Sequence, residues 1–213
     1  MKLPGKRFER ELIRGWLHEP SAESNATGDG LAITHGAGSN CEAALIVAIA
    51  EAFADAGWWV LRFDLPYRQD RPHGPPFPAQ AARDREGIRR AAEALREIAG
   101  RIILAGSSYG GRQATMLAAE NLQIADGLLL LSYPLHPPGK PQNLRTAHFS
   151  KIETPAMFVH GTRDSFGSIE EMGAAIEAIP ARHELVSVDK APHGLPPKIA
   201  AWLPARFAGF LGP

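Results

Sequence analysis

Arg101-Ile102-Ile103-Leu104-Ala105-Gly106-Ser107-Ser108-Tyr109-Gly110-Gly111-Arg112 is the stretch on which the fold turns. Its first five residues are a short apolar run of the kind that makes a strand buried on both faces, and Arg112 to Asn121 reads as helix. Gly106-Ser107-Ser108-Tyr109-Gly110 is then a strand-to-helix turn, the context that a G-x-S-x-G match requires. Such a turn is sharp enough to strain the backbone of its central serine, and the flanking glycines relieve the crowding. Ser108 is expected to lift its hydroxyl above the sheet edge. A helix beginning at Gly110 aims its free N–H groups and positive dipole end at the same spot, and Tyr109 N–H is the donor just past the serine. A pentapeptide of Gly and Ser is also an ordinary loop, so the rest of the chain must decide.

Upstream, Leu31-Ala32-Ile33-Thr34 reads as a buried strand leading into His35-Gly36-Ala37-Gly38. A helix from Glu42 to Ala56 follows, with Leu45, Ile49, Ala52, Phe53 and Ala56 on one face and Gly57 as its stop. Trp58 to Phe63 is the next strand. After Asp64 comes a Pro/Gly-rich excursion, Pro66 to Pro78, and a helix carrying Ile88, Ala91, Leu95 and Ile98 up to Gly100. Leu12 to Leu17 adds a further strand before all of these. Downstream, Gly127 to Ser132 is a leucine-rich strand, followed by a loop from Tyr133 to Thr154 and a strand from Pro155 to Val159. Ser168 with Glu171 is a capping box for a helix carrying Met172, Ile176 and Ile179. Leu185 to Val188 is the last strand, and Ile199, Trp202, Leu203, Phe207 and Phe210 are expected to face inward near the C-terminus. Strands alternating with helices predict an α/β fold: a doubly wound, mostly parallel sheet with helices on both faces and ligands at the carboxyl ends of the strands.

Length and composition agree with one domain over residues 1–213, with 45% hydrophobic residues. Lysine plus arginine (23) equal aspartate plus glutamate (23), so no global field draws in nucleic acid or an anionic membrane. The single cysteine, Cys41, excludes an internal disulfide and suits a reducing compartment. Met1-Lys2-Leu3-Pro4-Gly5-Lys6-Arg7 is basic but runs into charged residues, so it does not read as a signal peptide. The apolar stretch from Ala43 to Ala56 contains Glu51 and Asp55 and is too short to span a bilayer. The expectation is a cytoplasmic protein that works on a small molecule, with neither nucleic acid nor membrane as partner.

The chemistry-bearing residues collect at predicted strand ends: His35 to Gly38, Asp64, Ser108, Asp164 and His193. A serine nucleophile needs a histidine to take its proton, and that histidine needs a carboxylate to fix its tautomer. Ser108, Asp164 and His193 supply those types in the chain order expected of doubly wound hydrolases. Asp189, four residues before His193, is the rival acid. Gly36 and Gly38 let the first loop turn N–H groups inward, with Ala37 N–H the first choice and Gly38 N–H the second for an oxyanion site shared with Tyr109. His35 reads as a buried, hydrogen-bonded histidine. A metal site built from His35, His160, His193 and Asp64 lacks any local ligand spacing, and the glycines fit neither dinucleotide nor P-loop patterns, so no metal or cofactor is expected.

With His-Gly-Ala-Gly, Gly-Ser-Ser-Tyr-Gly-Gly, His-Gly-Thr-Arg-Asp and Pro-His-Gly in order from about Leu31 onward, the chain resembles the α/β-hydrolase superfamily. More narrowly, Ser132-Tyr133-Pro134-Leu135-His136-Pro137-Pro138-Gly139-Lys140 and Leu144-Arg145-Thr146 resemble a branch akin to dienelactone hydrolases, related also to a subunit of the non-specific-lethal histone acetyltransferase complex. The superfamily implies ester, thioester or amide hydrolysis, whereas that branch includes relatives used as scaffolds. Dienelactone hydrolases proper carry cysteine where Ser108 stands, so lactone specificity does not transfer. Two readings follow: a serine hydrolase acting through an acyl-enzyme, or a binding module that keeps the fold. The loops 66–78 and 133–154 are proline-rich and lack an apolar helical stripe, so they are expected to rim a cleft without a lid, with Tyr67, Phe77, Leu135 and Phe149 lining it.

Overall fold

A computed structural model describes residues 5–212 apart from 23 and 25, which leaves Met1 to Pro4 of the basic N-terminal stretch outside the described residues. Among the described residues eight strands, numbered β1 to β8 in chain order, form one sheet in the order β1-β2-β4-β3-β5-β6-β7-β8. The parallel part comprises β3 (Gly30–Thr34), β4 (Trp59–Asp64), β5 (Ile102–Ser107), β6 (Gly127–Leu131), β7 (Ala156–Gly161) and β8 (His183–Val188). At the other edge β1 (Lys6–Arg10) and β2 (Ile13–His18) run antiparallel. β1 has no counterpart in the sequence reading, because Lys6-Arg7-Phe8-Glu9-Arg10 carries no apolar alternation and is held by its pairing to β2.

The central strands read as continuous apolar runs because both of their faces are covered. In β6, Leu128 and Leu130 join one core while Leu129 and Leu131 join the other; in β5, Ile102 and Leu104 oppose Ile103 and Ala105 in the same way. Helices α3 (Ala81–Arg96), α4 (Tyr109–Glu120) and α5 (Ile169–Ile176) cover the first face, and α1 (Ala44–Asp55) and α6 (Leu203–Leu211) cover the second. Ser168 caps α5 in the expected box with Glu171.

Three details depart from expectation. The buried stripe of α1 is Ile46, Ile49, Ala50, Phe53 and Ala54, rotated by a residue from the expected face, and Ala56 is exposed. Ile98 lies beyond the end of α3 and is exposed, because the helix stops at Arg96 before the stripe is complete. Trp202 is also exposed, sitting at the junction between a 3-10 turn (Pro197–Ala201) and α6.

From β3 the chain crosses through α1 to β4 on one side, then returns through α3 to β5 on the other. The carboxyl ends of β3 and β5 therefore flank the point where strand order reverses, and Thr34 pairs with Gly106 there. Crevices at such points are where doubly wound sheets bind ligands.

Candidate active site

Ser108 sits between β5 and α4 with φ 50° and ψ −112°, a conformation that strains any residue bearing a Cβ. Ser108 N–H donates to Leu131 O on β6, and its carbonyl accepts Arg112 N–H, so the strain is held from both sides. Packing makes glycine obligatory around it. A Cβ on Gly106 would lie 2.4 Å from Gly111 N, and one on Gly110 would lie 2.6 Å from His35 O. The turn thus needs bare backbone on β5 and on the first turn of α4.

His193 reaches this turn from the loop after β8. Its Nε2 is 2.9 Å from Ser108 Oγ, and its Nδ1 is 2.8 Å and 3.0 Å from the two carboxylate oxygens of Asp164. A carboxylate only accepts, so Nδ1 carries the proton and Nε2 is left as an acceptor for the Ser108 hydroxyl. The Asp164 side chain is fully buried and also accepts Phe166 N–H at 2.8 Å, which fixes its orientation. The Phe166 ring stacks on the imidazole, with centroids 4.1 Å apart. Gly161 lets the loops meet, because a Cβ there would lie 2.3 Å from Ala191 O. Asp189, the rival acid, is exposed beside Lys190.

His35 is fully buried below the first loop. Its Nδ1 is 2.9 Å from Gly36 O, and its Nε2 accepts Leu65 N–H. Burial lowers its pKa to about 4, so the ring is neutral at ordinary pH. Both ring nitrogens are engaged. Among the described residues, no three His, Cys, Asp or Glu side chains stand together as metal ligands.

The first loop is tied down from behind. The single Tyr67 O–H is shared between Ala37 O (2.9 Å) and Gly36 O (3.2 Å); Arg68 donates to Ala37 O (3.0 Å) through Nη2 and to Ser39 O (2.8 Å) through Nε. In a trans peptide the N–H points opposite the C=O, so the N–H groups of Ala37 and Gly38 face away from Tyr67 and Arg68. The same loop closes on the nucleophile turn, since a Cβ on Gly36 would meet Ser108 Cβ at 3.3 Å. Around Gly38 the space is open.

The expected cleft lining is corrected at three of its four positions. Tyr67, Leu135 and Phe149 are completely buried: Tyr67 lies behind the first loop, and Phe149 packs on Tyr133 and Phe158. Leu135 fills the space in front of Gly167. Proline-rich loops without a helical stripe still fold their apolar side chains onto the core, and Tyr133 Oη fastens the second loop at Arg145 O. Phe77 alone is exposed, with the Arg71 guanidinium 4.2 Å from its ring. The excursion after Asp64 opens with a short helix, α2 (Pro66–Asp70). Tyr67 and Arg68 on α2, and Phe166, are residues beside Ser108, His193 and the first loop that sequence reasoning missed or placed differently.

No helix of the described residues is long and apolar enough to cross a membrane. The family model of the alpha/beta hydrolase domain matches residues 28–201. Among solved structures, the chain is similar to TT1662 from Thermus thermophilus at 24% identity and a TM-score of 0.78, with all of both chains covered. It is similar to Est1E from Butyrivibrio proteoclasticus at 18% identity and a TM-score of 0.73, covering 98% of this chain and 99% of that one. A dienelactone hydrolase from Anabaena variabilis matches at 20% identity and a TM-score of 0.73, over 92% and 91% of the two chains. At these identities the structures share the fold.

Proposed function

The chain belongs to the alpha/beta hydrolase domain family, and from that premise we propose that it is a serine hydrolase that cleaves a small ester, thioester or related acyl substrate. Ser108 Oγ attacks the acyl carbon as its proton passes to His193 Nε2. Asp164 stabilises the imidazolium. The carbonyl oxygen becomes an oxyanion that accepts hydrogen bonds from Ala37 N–H and Tyr109 N–H, while the positive end of α4 points at it. On collapse the alcohol or thiol leaves with the proton from His193, and an acyl ester remains on Ser108. Water, deprotonated by His193, then attacks that ester and releases the acid. The sum is substrate plus water giving acid plus alcohol or thiol.

The observation that carries this reading is His193 between Ser108 Oγ and a buried carboxylate, 2.9 Å from one and 2.8 Å from the other. In a pure structural role, a strained serine and a buried aspartate aimed at one imidazole would cost stability with no return. The alternative, a binding or scaffold module like the non-specific-lethal complex subunit that the sequence resembles, has this intact relay against it. Stopped-flow hydrolysis of p-nitrophenyl acetate tests the choice. The reading expects a burst of p-nitrophenol equal to the enzyme concentration that is lost in Ser108→Ala; a folded wild type without turnover or burst favours the scaffold.

A further inference from the structure

One buried carboxylate has no part in the relay. Asp84 is fully buried in α3, on the same face as Ile88, Ala91 and Leu95, and among the described residues it forms no ion pair. Burial raises its pKa. A bare acid in a helix core is a costly residue unless its oxygens are spoken for.

Both are. Oδ1 accepts Tyr67 N–H at 3.0 Å, and Oδ2 accepts Tyr109 O–H at 2.8 Å. The first contact substitutes for a helix cap, since Leu65, the residue before α2, offers no side-chain acceptor to the first turn. It thereby fixes the short helix whose Tyr67 and Arg68 side chains hold the carbonyls of Gly36, Ala37 and Ser39. The second contact fixes the far end of the residue that follows Ser108. The Tyr67 and Tyr109 rings meet edge to face, with centroids 5.8 Å apart, so the two arms also brace each other.

We propose that Asp84 is the positioning residue of the oxyanion site, setting the first loop through Tyr67 and the nucleophile turn through Tyr109. It touches neither substrate nor reacting atoms. The inference rests on the hydrolase reading and adds to it the residue that keeps two donors 72 positions apart, at Ala37 on the first loop and Tyr109 at the start of α4, in register. Oxyanion donors act by preorganisation, so a shift of a few tenths of an ångström in either arm weakens the transition state more than the ground state.

Three variants test it: Asp84→Ala, Asp84→Asn and Tyr109→Phe, each checked for folding by circular dichroism and normalised by active-site titration. Asp84→Ala should lower kcat by about 10- to 100-fold with KM within about 2-fold, the scale set by misplaced catalytic groups. The Ki of a trifluoromethyl ketone, which forms a tetrahedral adduct on the serine, should weaken in step with kcat/KM. Asp84→Asn should recover most of the loss, because its amide oxygen still accepts Tyr67 N–H and its NH2 donates to the Tyr109 oxygen. Tyr109→Phe cuts one arm only and should fall between wild type and Asp84→Ala. If Asp84→Ala does not fold, Asp84→Asn and Tyr109→Phe decide. Wild-type kcat and Ki in Tyr109→Phe, or an Asp84→Asn as impaired as Asp84→Ala, would overturn this inference while the hydrolase reading stands. A folded wild type with neither turnover nor burst would overturn both.

Discussion

Ser108 and His193 are 85 positions apart in the chain and 2.9 Å apart at Oγ and Nε2. Two close approaches of bare backbone bring them together: β5 against the start of α4 at Gly106, and β7 against the His193 loop at Gly161. The pair is therefore a product of the whole sheet, held by residues that lie far from it in the chain.

The acid is the first such residue. Asp164 holds His193 Nδ1 while Asp189 is exposed, so Asp164→Asn should lower kcat by about 10⁴-fold without unfolding the chain, the scale of a wrong imidazole tautomer. Asp189→Asn should leave kcat unchanged. Steady-state kinetics on both variants check this, and the reverse pattern would name Asp189 as the acid.

A second prediction concerns packing at the turn. Gly106→Ala drives a Cβ to 2.4 Å from Gly111 N, whereas Gly38→Ala meets nothing within 4 Å. Overpacking a well-packed core costs about 1–3 kcal/mol, occasionally more. Urea denaturation should show that loss for Gly106→Ala and little change for Gly38→Ala; equal stabilities would contradict the geometry.

The parallel sheet, the meeting of Ser108, His193 and Asp164 and the α5 cap were legible in the sequence because each leaves a local mark: an apolar run, a glycine-flanked serine, a Ser with Glu three residues on. The loop interiors were not. Nothing local distinguishes an apolar side chain that lines a cleft from one folded back on the core, and so Tyr67, Leu135 and Phe149 were misplaced. Asp84 did leave a mark, a carboxylate four residues before Ile88 on the inward stripe of α3, but its partners come from Tyr67 and Tyr109 and appear only when α2, α3 and α4 meet.

Acid should destabilise the fold over a defined window. Burial lowers the pKa of His18, His35 and His148 to about 4, helped by Arg62 at His18 and by Arg112 and Arg85 at His148. In the unfolded chain these imidazoles take up protons near 6.5, so between about 6.5 and 4 the unfolded state binds more protons. The stability they contribute is complete above 6.5 and is lost as pH falls through that window. Tm followed from pH 7.5 to 4 should decline, and less steeply in His148→Gln; a slope unchanged by that substitution would contradict the assignment of His148.

Acyl-chain preference follows from the two loops. With Tyr67, Leu135 and Phe149 locked in the core, neither loop contributes those side chains to an apolar channel, and added methylenes, worth roughly 0.8 kcal/mol each only when removed from water, stay wet. On model esters kcat/KM should be highest for acyl chains of about two to four carbons, the lengths whose methylenes need no such burial. A steady rise out to long chains, measured below their micelle-forming concentrations, would contradict it.

The central claim is that Ser108 is the nucleophile, and the adjoining Ser107 at the end of β5 is its internal control. Incubation of the folded protein with a fluorophosphonate, followed by peptide mass spectrometry, tests it most directly. The account predicts one adduct per chain, on Ser108, absent from Ser108→Ala and strongly slowed in His193→Ala; an adduct on Ser107, or a folded protein that takes up no label, would contradict it.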